Sequence, residues 1–142
     1  MKNKLLAIIP ARLGSTRLKK KNLKILGKKE LVSWSIDFAK KTNLFDKIFV
    51  STDSKKIRNI AIQKKCSCPF LRPKKLSTKK ANLVDVGIHI LKYLKKKDHN
   101  YDGVVLLQPT SPFRSKKTLV EGLKKFYYKG EKESVISIAE VK

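Results

Sequence analysis

Apolar residues in this chain fall into short blocks with two different periods. Lys4 to Pro10, KLLAIIP, is a nearly continuous apolar run bounded by charge and proline, which predicts a buried strand. Leu31 to Thr42 sets Leu31, Trp34, Ile36 and Phe38 at helical spacing, with Val32 and Ala39 beside them, and predicts a helix with a broad apolar face. Lys47 to Thr52, KIFVST, is rich in β-branched and aromatic residues and predicts a second strand. Ser54 can cap a helix from Lys55 to Lys65 that turns Ile57, Ile60 and Ala61 inward. A short extended piece is expected across Cys66 to Leu71. Asn82 to Lys96 predicts a third helix built on Val86, Ile90, Leu91 and Leu94. Tyr101 to Leu107 predicts a further buried strand, Lys116 to Tyr128 a fourth helix, and SVISIA, Ser134 to Ala139, a last strand.

Strands that alternate with helices in this way belong to an α/β fold, with a mostly parallel sheet covered on both faces. Crossovers between parallel strands are right-handed. Ligands in such folds sit beyond the carboxyl ends of the strands. Three loops therefore matter: the one after Pro10, the one around Asp53 and the one after Leu107. No repeat or Pro/Gly/Ser linker interrupts the chain, so its 142 residues are expected to form one domain, residues 1–142.

Charge narrows the choice of partner. The formal net charge is +24, which raises nucleic acid as a partner. The excess is lysine scattered along the chain, however, and arginine occurs only at Arg12, Arg17, Arg58, Arg72 and Arg114. Base readout favours arginine forks, and single-strand binding favours interleaved aromatics; neither pattern is present. A solvated lysine surface with a pocket for small anions fits better. Cys66 and Cys68 lie too close for a mutual disulfide and lack zinc-site spacing, so both are read as reduced and structural. No apolar run reaches transmembrane length, and LLAIIPA is too short for a secretory core, so a cytoplasmic protein without membrane contact is expected.

The loop after the first strand carries the most chemistry. In IPARLGSTRLKKKNL, Gly14 and Ser15 can present successive amides to an anion. Arg12 and Arg17 can converge on phosphate oxygens, and Lys21 adds a mobile cation. Asn22 can donate and accept at a base edge. The glycine spacing matches neither the dinucleotide fingerprint nor the Walker A loop. Gly14 alone is equally a turn glycine, and Lys19 and Lys20 read as solvated. Asp53 can orient nucleotide or metal, or simply cap a helix or turn.

IPARLGSTRLKKKNL resembles the amino-terminal signature of the acylneuraminate cytidylyltransferases, through Ile9, Pro10, Ala11, Arg12, Gly14, Ser15, Arg17, Lys21 and Asn22. FVSTDS (Phe49 to Ser54), PFLRPKKLS (Pro69 to Ser77) and LLQPTSPFR (Leu106 to Arg114) are similar to three further motifs in the same order. The resemblance implies a three-layer αβα, Rossmann-like fold of the nucleotide-diphospho-sugar transferase type. The implied reaction transfers CMP from CTP to the anomeric hydroxyl of a nonulosonic acid such as N-acetylneuraminate. Pyrophosphate leaves, and Mg²⁺ is the implied cofactor. The related enzymes for the eight-carbon acid Kdo are the alternative, since ARLGSTRL leans toward their loop. Carried over residue by residue, the family pattern makes Arg12 and Lys21 the catalytic cations. Arg12, Gly14, Ser15, Arg17, Lys21, Asn22, Asp53 and Arg72 become nucleotide-binding, with Asn22 and Arg72 on the cytosine. Gln108, Thr110, Ser111 and Arg114 become sugar-binding, with Arg114 a partner for the carboxylate or a tie for its own loop. Asp85 falls near a family aspartate, His89 reads as structural and His99 as a loop residue.

Two departures stand out. Lys79 occupies a position where the family commonly has aspartate. The family's metal-binding aspartates and most of its dimer-forming insertion are expected beyond residue 142. The resemblance therefore implies an amino-terminal nucleotide-binding portion with the carboxy-terminal part missing. Such a chain is expected to be weak or inactive alone, with an inactive CTP-binding remnant as a further alternative; the family's homodimer is expected, though this chain can impair it.

Overall fold

The computed structural model describes residues 3–130 and 133–138. The chain divides into two compact units, Met1–Pro112 and Phe113–Lys142.

The first unit is built on β1, Leu5–Pro10, whose six residues are all buried. A strand buried on both faces needs partners on both edges, because its peptide groups have no water to bond. β1 has them: β4 (Lys47–Ser51) pairs parallel on one side, from Leu6 opposite Lys47 to Pro10 opposite Ser51. β5 (Gly103–Leu106) pairs parallel on the other, from Leu5 opposite Gly103 to Ile8 opposite Leu106. The expected extended piece continues the sheet beyond β4, where Ser67 bridges Phe49 and exchanges hydrogen bonds with Ile48 and Val50 at 2.9 Å each. The spatial order is thus Ser67, β4, β1, β5.

Helices cover the two faces, as the alternation predicts. Ala7, Ile9 and Val50 pack against Val32, Ile36 and Ala39 of α1 (Leu31–Thr42) and against Ile57 and Ala61 of α2 (Lys55–Gln63). Leu6, Ile8 and Phe49 pack on the opposite face against Val86, Ile90 and Leu94 of α3 (Leu83–Lys95). Each Val, Leu, Ile or Phe among them stabilises the fold by about 1.5–3 kcal/mol through burial. The ends of the helices follow local chemistry. Ser54 accepts from the Ile57 amide and Asn82 from the Asp85 amide, each satisfying a donor that the helix itself leaves unpaired. Asn43 closes α1 in the left-handed region at φ 55°, a conformation asparagine tolerates well.

A two-stranded hairpin, β2 (Ile25–Leu26) and β3 (Lys29–Glu30), interrupts the expected loop before α1. Gly27 supplies φ +69° at the first turn position, which a side chain would strain. Trp34 of α1 donates from Nε1 to the Leu26 carbonyl at 2.9 Å, and Lys29 stacks over the same indole at 4.3 Å. Lys29 also bonds Asp37, which Lys64 approaches at 2.8 Å from just past the end of α2. Burial alone would raise the Asp37 carboxyl, but the hydrogen bonds and charges of Lys29 and Lys64 hold it below its ordinary value.

In the second unit, Ser115 caps α4, Lys116–Tyr128, by accepting from the Thr118 amide. The expected strand at Ser134 to Ala139 is not present at residues 134–138, which are irregular and exposed; Ala139 lies outside the described residues. The segment has strand-forming side chains but no ladder partner among the described residues. Without one, its peptide groups remain with water. No described helix is long and apolar enough to cross a membrane.

Candidate functional site

The three singled-out loops lie at the carboxyl ends of β1, β4 and β5. From β1 the chain goes to β4 on one side and later returns through β5 on the other, so the order reverses at β1. An α/β sheet opens a crevice at such a reversal. Here a cleft is lined by Pro10, Arg12, Gly14, Ser15, Lys21 and Asn22 from the first loop. Arg72, Thr78 and Ala81 come from the segment before α3, Leu83 and Val86 from α3 itself, and Gln108, Pro109 and Thr110 from the loop after β5.

The first loop is held peptide by peptide. Ala11 donates to the Ser51 carbonyl at 2.8 Å, extending the β1–β4 ladder by one bond. The Arg12 carbonyl accepts from Asn22 Nδ2 at 2.9 Å. The Leu13 amide donates to Asp53 Oδ1 at 2.7 Å. Lys20, in the left-handed region at φ 53°, then turns the chain into a short 3-10 helix, Lys21–Leu23. Gly14 has room for a side chain, since a Cβ there would meet Arg12 Nη1 at an ordinary 3.5 Å.

Asn22 is 7% exposed, and its Oδ1 has no hydrogen-bond partner. Only Nδ2 can donate to a carbonyl, so the bond to Arg12 fixes the amide orientation and leaves the acceptor unmatched in the cleft lining. A buried acceptor left unmatched costs about 1–3 kcal/mol. A ligand that donates to it recovers that cost.

Arg72 is equally buried and more fully bonded. Its Nε donates to Ser51 Oγ at 2.9 Å, Nη2 to the Ser51 carbonyl at 2.7 Å and Nη1 to the Leu76 carbonyl at 3.3 Å. Of five N–H groups it therefore retains two. Burial lowers its pKa, Asp53 opposes that shift and Arg12 adds to it.

The remaining candidates separate. Lys21, Gln108 and Thr110 line the cleft with Arg12, Gly14, Ser15, Asn22 and Arg72. Arg17 and Ser111 are exposed and outside that lining. Asp53 is also outside it, engaged with the Leu13 amide, while Ser54 and not Asp53 caps α2. Arg114 lies in the second unit. Asp85 is exposed in the first turn of α3, where a carboxylate suits the helix dipole. His89 packs edge-on to Phe70 at 5.2 Å, and burial, with Lys75 and Arg72 nearby, pulls it below its ordinary pKa. Lining residues not foreseen are Thr78, Ala81, Leu83 and Val86. Val86 sits one turn before Ile90 on the apolar face of α3, the one signal that pointed to this wall.

Magnesium, implied by the sequence resemblance, does not fit the lining residues, none of which is a carboxylate. Among the described residues no group of three or more His, Cys, Asp or Glu could hold a metal ion.

Residues 6–141 match the profile of the family described as Cytidylyltransferase. The chain belongs to this cytidylyltransferase family. It is 38% identical over 138 residues to the CMP-N,N'-diacetyllegionaminic acid synthase of Legionella pneumophila, covering 97% of this chain and 59% of that protein. It is 36% identical to the N-acylneuraminate cytidylyltransferase of Escherichia coli, covering 97% of this chain and 32% of that protein. It is also 36% identical to the pseudaminic acid cytidylyltransferase of Campylobacter jejuni, at 89% and 53% coverage. The cytidylyltransferase chain thus spans between about a third and three fifths of these relatives. Among solved structures, CMP:2-keto-3-deoxy-manno-octonic acid synthetase complexed with CTP superposes with a TM-score of 0.70 at 18% identity, over 89% of this chain and 48% of that one. A cytidylyltransferase from Leptospira borgpetersenii gives 0.65 at 23% identity, over 89% and 50%. Both share the α/β fold with its parallel sheet.

Proposed function

We propose that the cleft binds CTP and serves transfer of CMP to the anomeric hydroxyl of a nonulosonic acid, with release of pyrophosphate. The observation that carries the nucleotide reading is the buried, orientation-locked Oδ1 of Asn22. An acceptor there matches the exocyclic amine of cytosine and opposes the carbonyl that uracil carries at the same position. Arg12 and Lys21 supply positive charge to the triphosphate, with no lining carboxylate to cancel it. Arg72, with its two remaining N–H groups, can reinforce the base contact. Attack of a sugar hydroxyl oxygen on the α-phosphorus needs alignment and charge neutralisation more than covalent help. Gln108 and Thr110 offer hydrogen bonds to the sugar acid. The nonulosonic acid itself is inferred from the names of the relatives. A homodimer and a cytoplasmic setting belong to the same reading.

Calorimetric titration of the chain with CTP, UTP and ATP, with and without magnesium, tests this. Saturable binding with CTP preferred over UTP by about tenfold is expected. Equal binding of CTP and UTP would overturn the role of Asn22. Pyrophosphate release with N-acetylneuraminate, compared with Kdo, then tests the acceptor sugar.

A further inference from the structure

We propose that Asp53 is a positioning residue, which sets the first loop and thereby the place from which Arg12 meets a triphosphate. This rests on the nucleotide reading of the cleft. Arg12 lies between two peptides whose amides are both anchored at the end of β4. Ala11 bonds the Ser51 carbonyl at 2.8 Å, and Leu13 bonds Asp53 Oδ1 at 2.7 Å. The first bond is ordinary ladder continuation. The second replaces it where the ladder ends, with a side chain forty residues away in sequence. A carboxylate is a stronger acceptor than a carbonyl, so one bond can hold a peptide at the edge of solvent.

Asp53 has a second effect through charge. Arg12 and Arg72 both line the cleft, and the charge of Arg12 disfavours that of Arg72. The carboxylate acts on Arg72 in the opposite sense. Asp53 therefore offsets part of the cost of holding a buried Arg72 guanidinium beside Arg12. It needs no contact with the ligand to do this, and it is not among the lining residues. Small displacements of an aligned cation cost rate and affinity steeply, so loop placement is a functional property.

The test compares Asp53→Ala with Asp53→Asn in the full chain, reading amide hydrogen exchange at Leu13 and CTP affinity by calorimetry. Asparagine keeps an oxygen for the Leu13 amide but loses the charge; alanine loses both. In Asp53→Ala, exchange at Leu13 is expected to rise at least about tenfold and CTP binding to weaken by about tenfold. In Asp53→Asn, protection of Leu13 is expected to persist, with CTP binding between wild type and alanine. Unchanged Leu13 exchange in the alanine variant overturns the proposal. So does an asparagine variant that binds as poorly as alanine while Leu13 stays protected, since Asp53 would then act through its charge and not by placing the loop. Should Asp53→Ala not fold, scalar coupling across the hydrogen bond between the Leu13 nitrogen and the Asp53 carboxyl carbon decides in the unaltered protein: its presence supports the clamp and its absence overturns it. Failure of the wild-type chain to bind CTP would refute the nucleotide reading, while the Leu13 data would still judge the clamp.

Discussion

At the floor of the cleft, Asn22 and Arg72 are 7% and 5% exposed, and both donate to backbone carbonyls of neighbouring segments. At its rim, Gly14, Gln108 and Thr110 are exposed and Lys21 is half-buried. The floor is organised before a ligand arrives, and its partners are fixed by geometry. The rim meets a ligand as charge and donors in water, where interactions are weaker and screened by salt. A nucleotide with a flat base and a charged tail would use both: shape and hydrogen bonding at one end, electrostatics at the other. Substitutions at the floor should therefore cost stability or selectivity, and substitutions at the rim affinity alone.

The largest effect should come from Arg72. Arg72→Met takes the donor from the Leu76 carbonyl and the Ser51 hydroxyl and one of two donors from the Ser51 carbonyl, and should destabilise the chain by about 3 kcal/mol, read as a lower urea midpoint. Arg72→Lys should recover little, because a single ammonium cannot span three acceptors. A midpoint near wild type in Arg72→Met would erase the distinction between floor and rim. Asn22→Leu comes next: CTP should lose its advantage over UTP, a change of about 1–3 kcal/mol in discrimination measured by paired titrations. Lys21→Ala should leave the unfolding free energy within about 0.5 kcal/mol of wild type, yet weaken CTP binding in dilute buffer. That loss should shrink in high salt, and a loss equal in both would move Lys21 to the floor.

The smallest effect should come from Asp37. Its folded pKa is lowered by Lys29 and Lys64 against the opposing effect of burial. Its contribution is therefore fully present above the unfolded carboxyl value and is lost as pH falls through the folded one. The carboxylate is 36% exposed, so solvent screening limits this to about 1 kcal/mol or less. Asp37→Asn should lower stability by about 1 kcal/mol or less at neutral pH and converge on wild type below about pH 4, checked by denaturant titrations at both.

Much of this architecture was legible along the chain because period and burial coincide. LLAIIP became the central strand, and the helices at Leu31–Thr42 and Lys116–Tyr128 begin and end where their apolar spacing does. SVISIA has the same apolar character as β1, but a strand is a property of a pair, and residues 134–138 have no partner among the described residues. The hairpin at Ile25–Glu30 escaped because two-residue strands carry no periodicity. In the site, the chemistry of Arg12, Lys21 and Asn22 could be read from residue type and loop context. The bonds that orient them could not, since Asp53 reaches Leu13, and Arg72 reaches Ser51, across stretches that local patterning does not span. Arg72 in particular has no local signal: an arginine before a proline reads as surface until its three acceptors are found.

The two cysteines carry a practical consequence. Cys66 and Cys68 are 8% and 4% exposed, and burial pushes the Cys66 thiol up to about 11 and raises that of Cys68 as well. At pH 8 the Cys66 thiol therefore stays protonated and unreactive. Both lie where the outermost extended piece joins the sheet, so an alkylating reagent that ignores the native chain will label it once that edge opens. The protein contains its own clock for opening at the edge beside β4, readable by mass at each cysteine and without an added probe.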